Sequence, residues 1–191
     1  MERIITERLI LREWNLSDSK DFYEFAKSDL VGPNAGWEPH KSEEESKALI
    51  QMFIRQNNNY AIVLKKENKV IGNIGFYRRK HDENYKHFVQ REIGYSLNPE
   101  YWGKGYMTEA LEALIEYTFN RLNVEIIWCS HFDSNFRSKA VIEKCGFTYK
   151  LTQKDFLPMY RNKEVTSLVY YKVNPRVAEK VIACEKKGRK F

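Results

Sequence analysis

The run Trp102-Gly103-Lys104-Gly105-Tyr106-Met107-Thr108-Glu109-Ala110 joins a strand-like segment to a strongly periodic helix through a turn broken by two glycines. Glycines at alternate positions let the backbone turn tightly and bare its N–H groups. The first N–H groups of the following helix, with its dipole, then favour a phosphate or pyrophosphate. Lys104 adds a mobile positive charge inside the turn. Many strand-to-helix turns use glycine only to reverse direction, so both uses stay open for this pair taken alone. A dinucleotide site would want a third glycine and an all-parallel unit with an acidic residue about twenty positions on. This turn lacks the third glycine, and its anion is therefore something else.

The elements that must position the turn can be read from periodicity and caps. Leu9-Ile10-Leu11-Arg12-Glu13-Trp14 is β-like, and Asn15-Leu16-Ser17-Asp18 offers N-cap chemistry to a helix bearing Phe22, Phe25 and Ala26 on one face. Val31 to Gly36 reads as a loop, and Ser42-Glu43-Glu44-Glu45 as a capping box opening a helix with Ala48, Leu49, Met52 and Phe53. Tyr60 to Leu64 and Lys69 to Tyr77 are strands around a tight polar turn, and Arg78 to Phe88 is a charged, exposed connection. Val89 to Leu97 forms a further strand ended by Asn98-Pro99-Glu100. Met107, Ala110, Leu111, Leu114 and Phe119 mark the inward face of the helix after the glycine turn. Val124 to Phe132 is a strand, about Asn135 to Lys144 a helix, and two strands follow near Tyr149 and over Val165 to Val173. The order β-α-α-β-β-β-α-β-α-β-β is an α+β fold: a mixed, mostly antiparallel sheet with one parallel pair made by the crossover around the turn.

The chain has 191 residues, 42% of them hydrophobic and 30% charged, which fits one globular domain; the 14% aromatic content suggests an aromatic-lined groove or interface. No apolar run is long enough to cross a bilayer and the start lacks a secretory pattern, so a cytoplasmic protein is expected, with no membrane partner. Cys129, Cys145 and Cys184 are odd in number and widely spaced, without a Cys/His cluster, and are expected as reduced thiols with no metal. The net charge is +6, of which the last eighteen residues hold +4. The chain therefore divides into a domain over 1–173 and a basic tail over 174–191. A solvated end explains such a charge run better than nucleic-acid binding does.

Three motifs in order carry a resemblance: Thr6-Glu7-Arg8-Leu9-Ile10-Leu11-Arg12; Glu92-Ile93-Gly94-Tyr95-Ser96-Leu97 running into the glycine turn; and Asn135-x-x-Ser138-x-x-Val141-x-x-Lys144-Cys145-Gly146-Phe147. Together, over Ile5 to about Val173, they resemble a GNAT N-acetyltransferase of the RimJ/RimL branch, whose named members acetylate N-termini of ribosomal proteins. The resemblance implies a GNAT fold of about six to seven strands and about four helices with a splayed parallel pair. It also implies acetyl-CoA as acetyl donor. The pyrophosphate would lie on Trp102, Gly103, Lys104, Gly105, Tyr106, Met107 and Thr108, and the pantetheine arm along Ser96 and Leu97 and against Asn135. In the family signature, Gln or Arg stands where Trp102 is and a small residue where Met107 is. Met107 either crowds the cofactor or turns into the core. Asn135 is also a good helix cap, and the two roles can coexist.

Acetyl transfer to an amine needs a neutral nitrogen, stabilisation of an oxyanion and a proton for the thiolate. Glu92 is the candidate base at the point where the resemblance places one; a surface ion pair with Arg91, Lys86 or a neighbouring basic strand residue is the alternative. A backbone N–H near Leu97 would meet the oxyanion. Relatives use a tyrosine seven residues after the asparagine as acid, but that position is Ile142. Ser138, the nearest hydroxyl on the same helix face and the one to which the resemblance gives that role, is then the candidate; the alternatives are solvent or the incoming amine's proton as acid, and a helix-surface serine bonded to its own backbone. Trp37, His40 and His131 are placed in the acceptor pocket, while His81 and His87 are read as solvated and Cys145 as packing. The expected partners are acetyl-CoA and an amine acceptor, a protein N-terminus or a small amine, with a homodimer permitted by the aromatic last strand. The competing reading is a non-catalytic acyl-CoA sensor or an RNA- or ribosome-associated accessory protein, motivated by Ile142, Met107 and the basic tail.

Overall fold

The computed structural model describes residues 1–79, 81–158, 160 and 162–188. Among them are eight strands, Ile4–Ile5 (β1), Leu9–Arg12 (β2), Asn59–Leu64 (β3), Lys69–Tyr77 (β4), Gln90–Leu97 (β5), Ile126–Phe132 (β6), Thr148–Leu157 (β7) and Lys163–Val173 (β8). The six helices are Ser19–Ala26 (α1), Gly32–Ala35 (α2), Glu43–Gln56 (α3), Tyr106–Asn120 (α4), Phe136–Lys144 (α5) and Ala178–Gly188 (α6). One sheet runs β1-β2-β3-β4-β5-β6-β8-β7. Every residue of β3 is buried, which requires cover on both faces. Tyr60, Ile62 and Leu64 enter one core with Leu111, Leu114 and Ile142 of α4 and α5, while Ala61 and Val63 enter another with Phe22, Phe25, Ile50 and Phe53 of α1 and α3. This alternation is the period of two that a strand imposes.

All pairings are antiparallel except β5 with β6, which are joined by the α4 crossover. Their ladder runs from Gln90↔Ile126 only as far as Ile93↔Cys129. Beyond it β5 stays with β4 to Gly72↔Leu97, and β6 stays with β8 to Phe132↔Ser167. The two strands therefore part. A Cβ at Gly72 would lie 2.5 Å from the Ser96 carbonyl oxygen, so a side chain there would force β4 off β5 where the strands diverge.

The sheet is wider than the six or seven strands expected because two-residue β1 pairs with β2. Two helices are additional. The stretch read as a loop holds α2, with Pro33 in its first turn and Gly36 closing it at φ 90°. The stretch read as a basic tail carries α6, whose Val181 is buried against Tyr85, Trp128 and Val169; residues 189–191 lie outside the described ones. The connection read as exposed leaves Arg78, Arg79, Glu83, Asn84, Lys86 and His87 exposed, but turns Tyr85 fully inward. Among the described residues no helix is long and apolar enough to cross a membrane.

Glu109 ties the amino-terminal strands to α4. Its carboxylate accepts from Thr6 Oγ1 (2.5 Å), Arg8 N (2.8 Å) and Arg8 Nε (2.6 Å), and Arg8 Nη1 continues to the Lys104 carbonyl (2.9 Å). Burial pushes this carboxyl up, and the bonds from Thr6 and Arg8 more than offset it, leaving its pKa below the usual value. Charge-assisted bonds of this kind contribute about 1.5–3 kcal/mol. Glu109→Gln is expected to lower unfolding free energy in urea by roughly 2 kcal/mol at neutral pH. A depressed carboxyl stabilises above its unfolded pKa, about 4.3, and loses that contribution as pH falls through the folded value, so wild type and variant should converge in acid.

Candidate active site

Where β5 and β6 part, a cleft of about 540 Å³ opens. Gly94 to Leu97 form one wall and Ser130 to Phe132 the other, with the glycine turn, the start of α4 and one face of α5 closing its length. Gly103 and Gly105 have φ of 74° and 79°, a region glycine enters without penalty. Gly105 is the N-cap of α4 and no side chain caps it, so the first N–H groups of the helix are left to whatever occupies the cleft. A Cβ on Gly103 would meet nothing within 4 Å, so the backbone is bare there, whereas one on Gly105 would lie 3.3 Å from Arg8 Nη2. These features fit a pyrophosphate-bearing ligand.

Around the turn, Met107 is buried in the main core and also contributes to the cleft lining. Trp102 Nε1 donates to the Leu97 carbonyl (2.8 Å), fixing the end of β5, and the Arg137 guanidinium stacks 4.5 Å from the Trp102 ring. Tyr106 and Thr108 line the cleft. Lys104 does not: its ammonium lies 5.2 Å over the Tyr101 ring, outside the cleft lining, and its carbonyl is held by Arg8. Ser96 lines the wall, with its hydroxyl donated to Asn73 Oδ1.

At the other end, Glu92 is 8% exposed, and its Oε1 accepts from Ser130 Oγ (2.8 Å). Arg79 Nη1 stands 3.4 Å from Glu92 Oε2 while Arg79 Nη2 bonds Asp155 Oδ1 at 3.0 Å, so one guanidinium spans both carboxylates. Burial pushes the Glu92 carboxyl up, but His81, Arg79 and Ser130 outweigh it and hold it below the usual range. Burial acts likewise on Asp155 and is outweighed by Ser167, Gln153 and Arg79. Both groups are ionised at neutral pH. Glu92 is thus buried and pairs with neither Arg91 nor Lys86; of the ion pairs its sequence position left open, it makes one with the neighbouring basic residue Arg79.

Along α5, Asn135 is the N-cap, accepting from Ser138 N at 3.1 Å, and its Nδ2 reaches the Asn34 carbonyl of α2 at 3.4 Å. Ser138 Oγ lies 2.9 Å from the Tyr95 hydroxyl, which burial holds well above its ordinary pKa and therefore neutral. Ile142 is fully buried. His131 lines the cleft, its Nδ1 on the Phe132 carbonyl (2.8 Å) and its Nε2 near the Tyr170 hydroxyl (3.3 Å).

Trp37 and His40 are not brought to the cleft. His40 Nδ1 bonds Ser46 Oγ (2.8 Å), and its ring meets Phe22 edge-on and packs on Trp37, so the pair wedges α2 against α1 and α3. The wall expected from them is supplied by Leu30, Val31, Asn34 and Ala35. The Cys145 thiol, buried, is pushed up to about 12, as suits a packing residue. Arg79, His81, Tyr95, Arg137 and Asp155 escaped the sequence reading. Only Tyr95 had a signal, standing in the same alternation as Ile93 and Leu97; His81 also corrects its reading as solvated, since its side chain is buried.

A mixed sheet opened at its one parallel pair, with a glycine turn at one end of the opening and a buried carboxylate at the other, defines an acyl-transferase type of architecture. A family model described as an acetyltransferase (GNAT) domain matches residues 8–148, and the chain belongs to that family. It is 32% identical over 144 residues, 75% of this chain and 81% of the relative, to the uncharacterized N-acetyltransferase YnaD of Bacillus subtilis. It is 26% identical over 171 residues, 81% of this chain and 82% of the relative, to the [ribosomal protein uS5]-alanine N-acetyltransferase of Escherichia coli. The crystal structure of a GNAT-family acetyltransferase from Bacillus anthracis superposes with a TM-score of 0.78 at 25% identity, covering 91% of this chain and 99% of that one. The chain is accordingly an acetyltransferase that acts on amines.

Burial lowers the His40 pKa and outweighs the opposing charge of Glu45. The unfolded ring takes up a proton below about pH 6.5 while the folded one resists, so stability falls as pH drops through that value. His40→Asn is expected to flatten the loss of urea stability between about pH 7 and 5. An unchanged slope would place the acid sensitivity elsewhere.

Proposed function

We propose that this chain moves the acetyl group of acetyl-CoA directly to the amino terminus of a protein. The observation that carries the reading is the parting of β5 and β6, which sets the glycine turn and Glu92 at opposite ends of one cleft. Acetyl-CoA, when bound, supplies an activated acetyl thioester. The N–H groups of Tyr106 to Thr108 and the Arg137 cation would hold its phosphates. Arg137 stacks on Trp102 and thereby returns positive charge to the spot where the family signature carries Gln or Arg.

Backbone N–H groups on the side of Gly94 to Leu97 that has left β6 are available to a developing oxyanion. Glu92 takes the proton that frees the amine nitrogen. The Ser138 hydroxyl, oriented by neutral Tyr95, donates a hydrogen bond to the departing sulfur. That pair offers a hydroxyl in place of the tyrosine missing at Ile142, and the packing of Met107 into the main core supports a catalytic reading over a non-catalytic sensor. The acceptor end is flanked by apolar side chains, Leu30 (56% exposed) and Phe156 (67% exposed), which suit a peptide better than a polyamine. The relative from Escherichia coli, by its name, acts on an alanine of a ribosomal protein.

Calorimetric titration of acetyl-CoA, followed by thiol release with alanine- and serine-terminated peptides and with spermidine, tests this. Peptide-dependent release is expected; release with spermidine alone would overturn the acceptor, and absence of acetyl-CoA binding would overturn the cleft. Glu92→Gln should lower kcat roughly 10²–10⁴-fold with acetyl-CoA affinity unchanged.

A further inference from the structure

His81 stands in a polar connection, yet its side chain is 1% exposed. Its ring packs 5.3 Å from that of Trp128. Nε2 is cut off from water and has no aligned hydrogen-bond partner, and the group it faces is Glu92 Oε1, 3.3 Å away. Nδ1 lies 3.5 Å from Gln153 Oε1. The Gln153 amide is oriented from its far side, where Nε2 donates to both oxygens of Asp155 at 3.0 and 3.1 Å. A buried ring nitrogen aimed at a carboxylate and left unaligned is costly in a folded protein and asks for a purpose.

The ring is also held from behind. Tyr85, fully buried, packs on Trp128 and Tyr171, and its hydroxyl donates to Glu185 of α6 while accepting from Lys150 Nζ (2.6 Å). Gln90 clamps the two aromatics together, donating to the Tyr85 carbonyl (2.6 Å) and accepting from Trp128 Nε1 (2.8 Å). The connection that carries His81 is thus pinned to the sheet and to the carboxy-terminal helix, and Trp128 serves as the plate against which the imidazole rests.

The two oxygens of Glu92 are consequently unlike. Oε1 meets both Ser130 and His81, whereas Oε2 meets Arg79, which is 46% exposed and stands off at 3.4 Å. We propose that His81 is a positioning residue for the transfer: its Nε2–H and Ser130 together pin Oε1, so that Oε2 is turned to the acceptor nitrogen. In the step itself one N–H bond of the acceptor ammonium breaks, its electron pair stays on nitrogen and the proton moves to Oε2. His81 gives up no proton; its hydrogen bond to Oε1 draws into line. The charged and polar groups around the ring are Glu92 and Arg79 at the cleft, Ser130 on β6, and Gln153 with Asp155 on β7. The proposal rests on Glu92 being the base.

The test uses the full chain and three variants, His81→Leu, His81→Gln and Glu92→Gln. Thiol release is followed against pH with the alanine-terminated peptide, the serine-terminated peptide and spermidine, and acetyl-CoA affinity by calorimetry. His81→Leu is expected to lower kcat at least tenfold with acetyl-CoA affinity unchanged. Because His81 helps hold the Glu92 carboxyl low, its removal should also move the acidic limb of kcat/KM to higher pH. His81→Gln, which keeps an N–H donor, should restore most of kcat. In protein labelled with ¹⁵N-histidine, a slowly exchanging ring N–H resonance is expected that shifts in Glu92→Gln, a readout independent of any acceptor and of whether His81→Leu folds. An N–H resonance that ignores Glu92→Gln overturns the pairing. Wild-type kcat and acidic limb in His81→Leu, with Glu92→Gln inactive, overturn the role of His81 and leave the base in place. Turnover retained by Glu92→Gln removes the base itself and the role of His81 with it.

Discussion

The parting of β5 from β6 after Ile93↔Cys129 is the constraint on which the rest of the molecule turns. A parallel pair inside a sheet normally keeps its hydrogen bonds, because unpaired backbone groups buried in a core are costly. Here the second halves of both strands keep one partner each, β4 and β8, and give up the other side to the cleft. The opening therefore costs the sheet only the bonds along that one seam, and the groups released there are the ones available to a ligand. Gly72 makes the arrangement possible from behind, since any side chain would push β4 away from Ser96.

An open seam must be braced, and the braces are polar ties between segments remote in sequence. Trp102 bonds the Leu97 carbonyl and so links the end of β5 to the glycine turn. Arg8 reaches from the amino-terminal strands to the Lys104 carbonyl, while Glu109 holds Arg8 from the first turn of α4. Asn135 caps α5 and touches α2 across the cleft. Each tie involves a backbone carbonyl or amide, so it fixes chain position as well as a side chain. The strand motif at Thr6 to Arg12 gains a physical meaning in this frame: Thr6 and Arg8 serve the turn, and Arg12 pairs with Asp18 to seat α1.

The sheet was legible because its determinants are local: alternation in Tyr60 to Leu64, the capping box at Ser42, and the glycines before α4. The glycine turn itself was legible for the same reason, and Glu92 was singled out from its place on the strand that enters the cleft. What could not be read were groups whose meaning lies in distant partners. His81 and Arg79 belong to a connection with no period, and only the folding of Tyr85 under α6 reveals that part of this connection is turned inward. Asp155 looks like one more polar residue of an edge strand until Arg79 joins it to Glu92. Trp37 and His40 failed in the opposite sense, since polar and aromatic residues in a loop suggested a pocket wall where packing between α1 and α3 absorbed them.

The electrostatics of the acceptor end bear on which amine is served. Glu92 and Asp155 are both held below the ordinary carboxylate range, so if Glu92 serves as the proposed base it is a weak one, and its acceptor nitrogen must give up a proton readily. A free α-amino group titrates at about 7.7–8.0 and a lysine-like amine at about 10.4, so the two differ by roughly 2.5 units, or about 3.4 kcal/mol, in the cost of reaching the neutral form. A carboxylate too weak to recover that difference suits a chain terminus better than an alkylamine. The charges agree: with Arg79 shared between two carboxylates, these three groups have room for one more cation, which the single ammonium of an N-terminus provides and the several charges of a polyamine exceed. Base strength and charge balance thus favour the same acceptor that the exposed Leu30 and Phe156 favour by shape and apolarity.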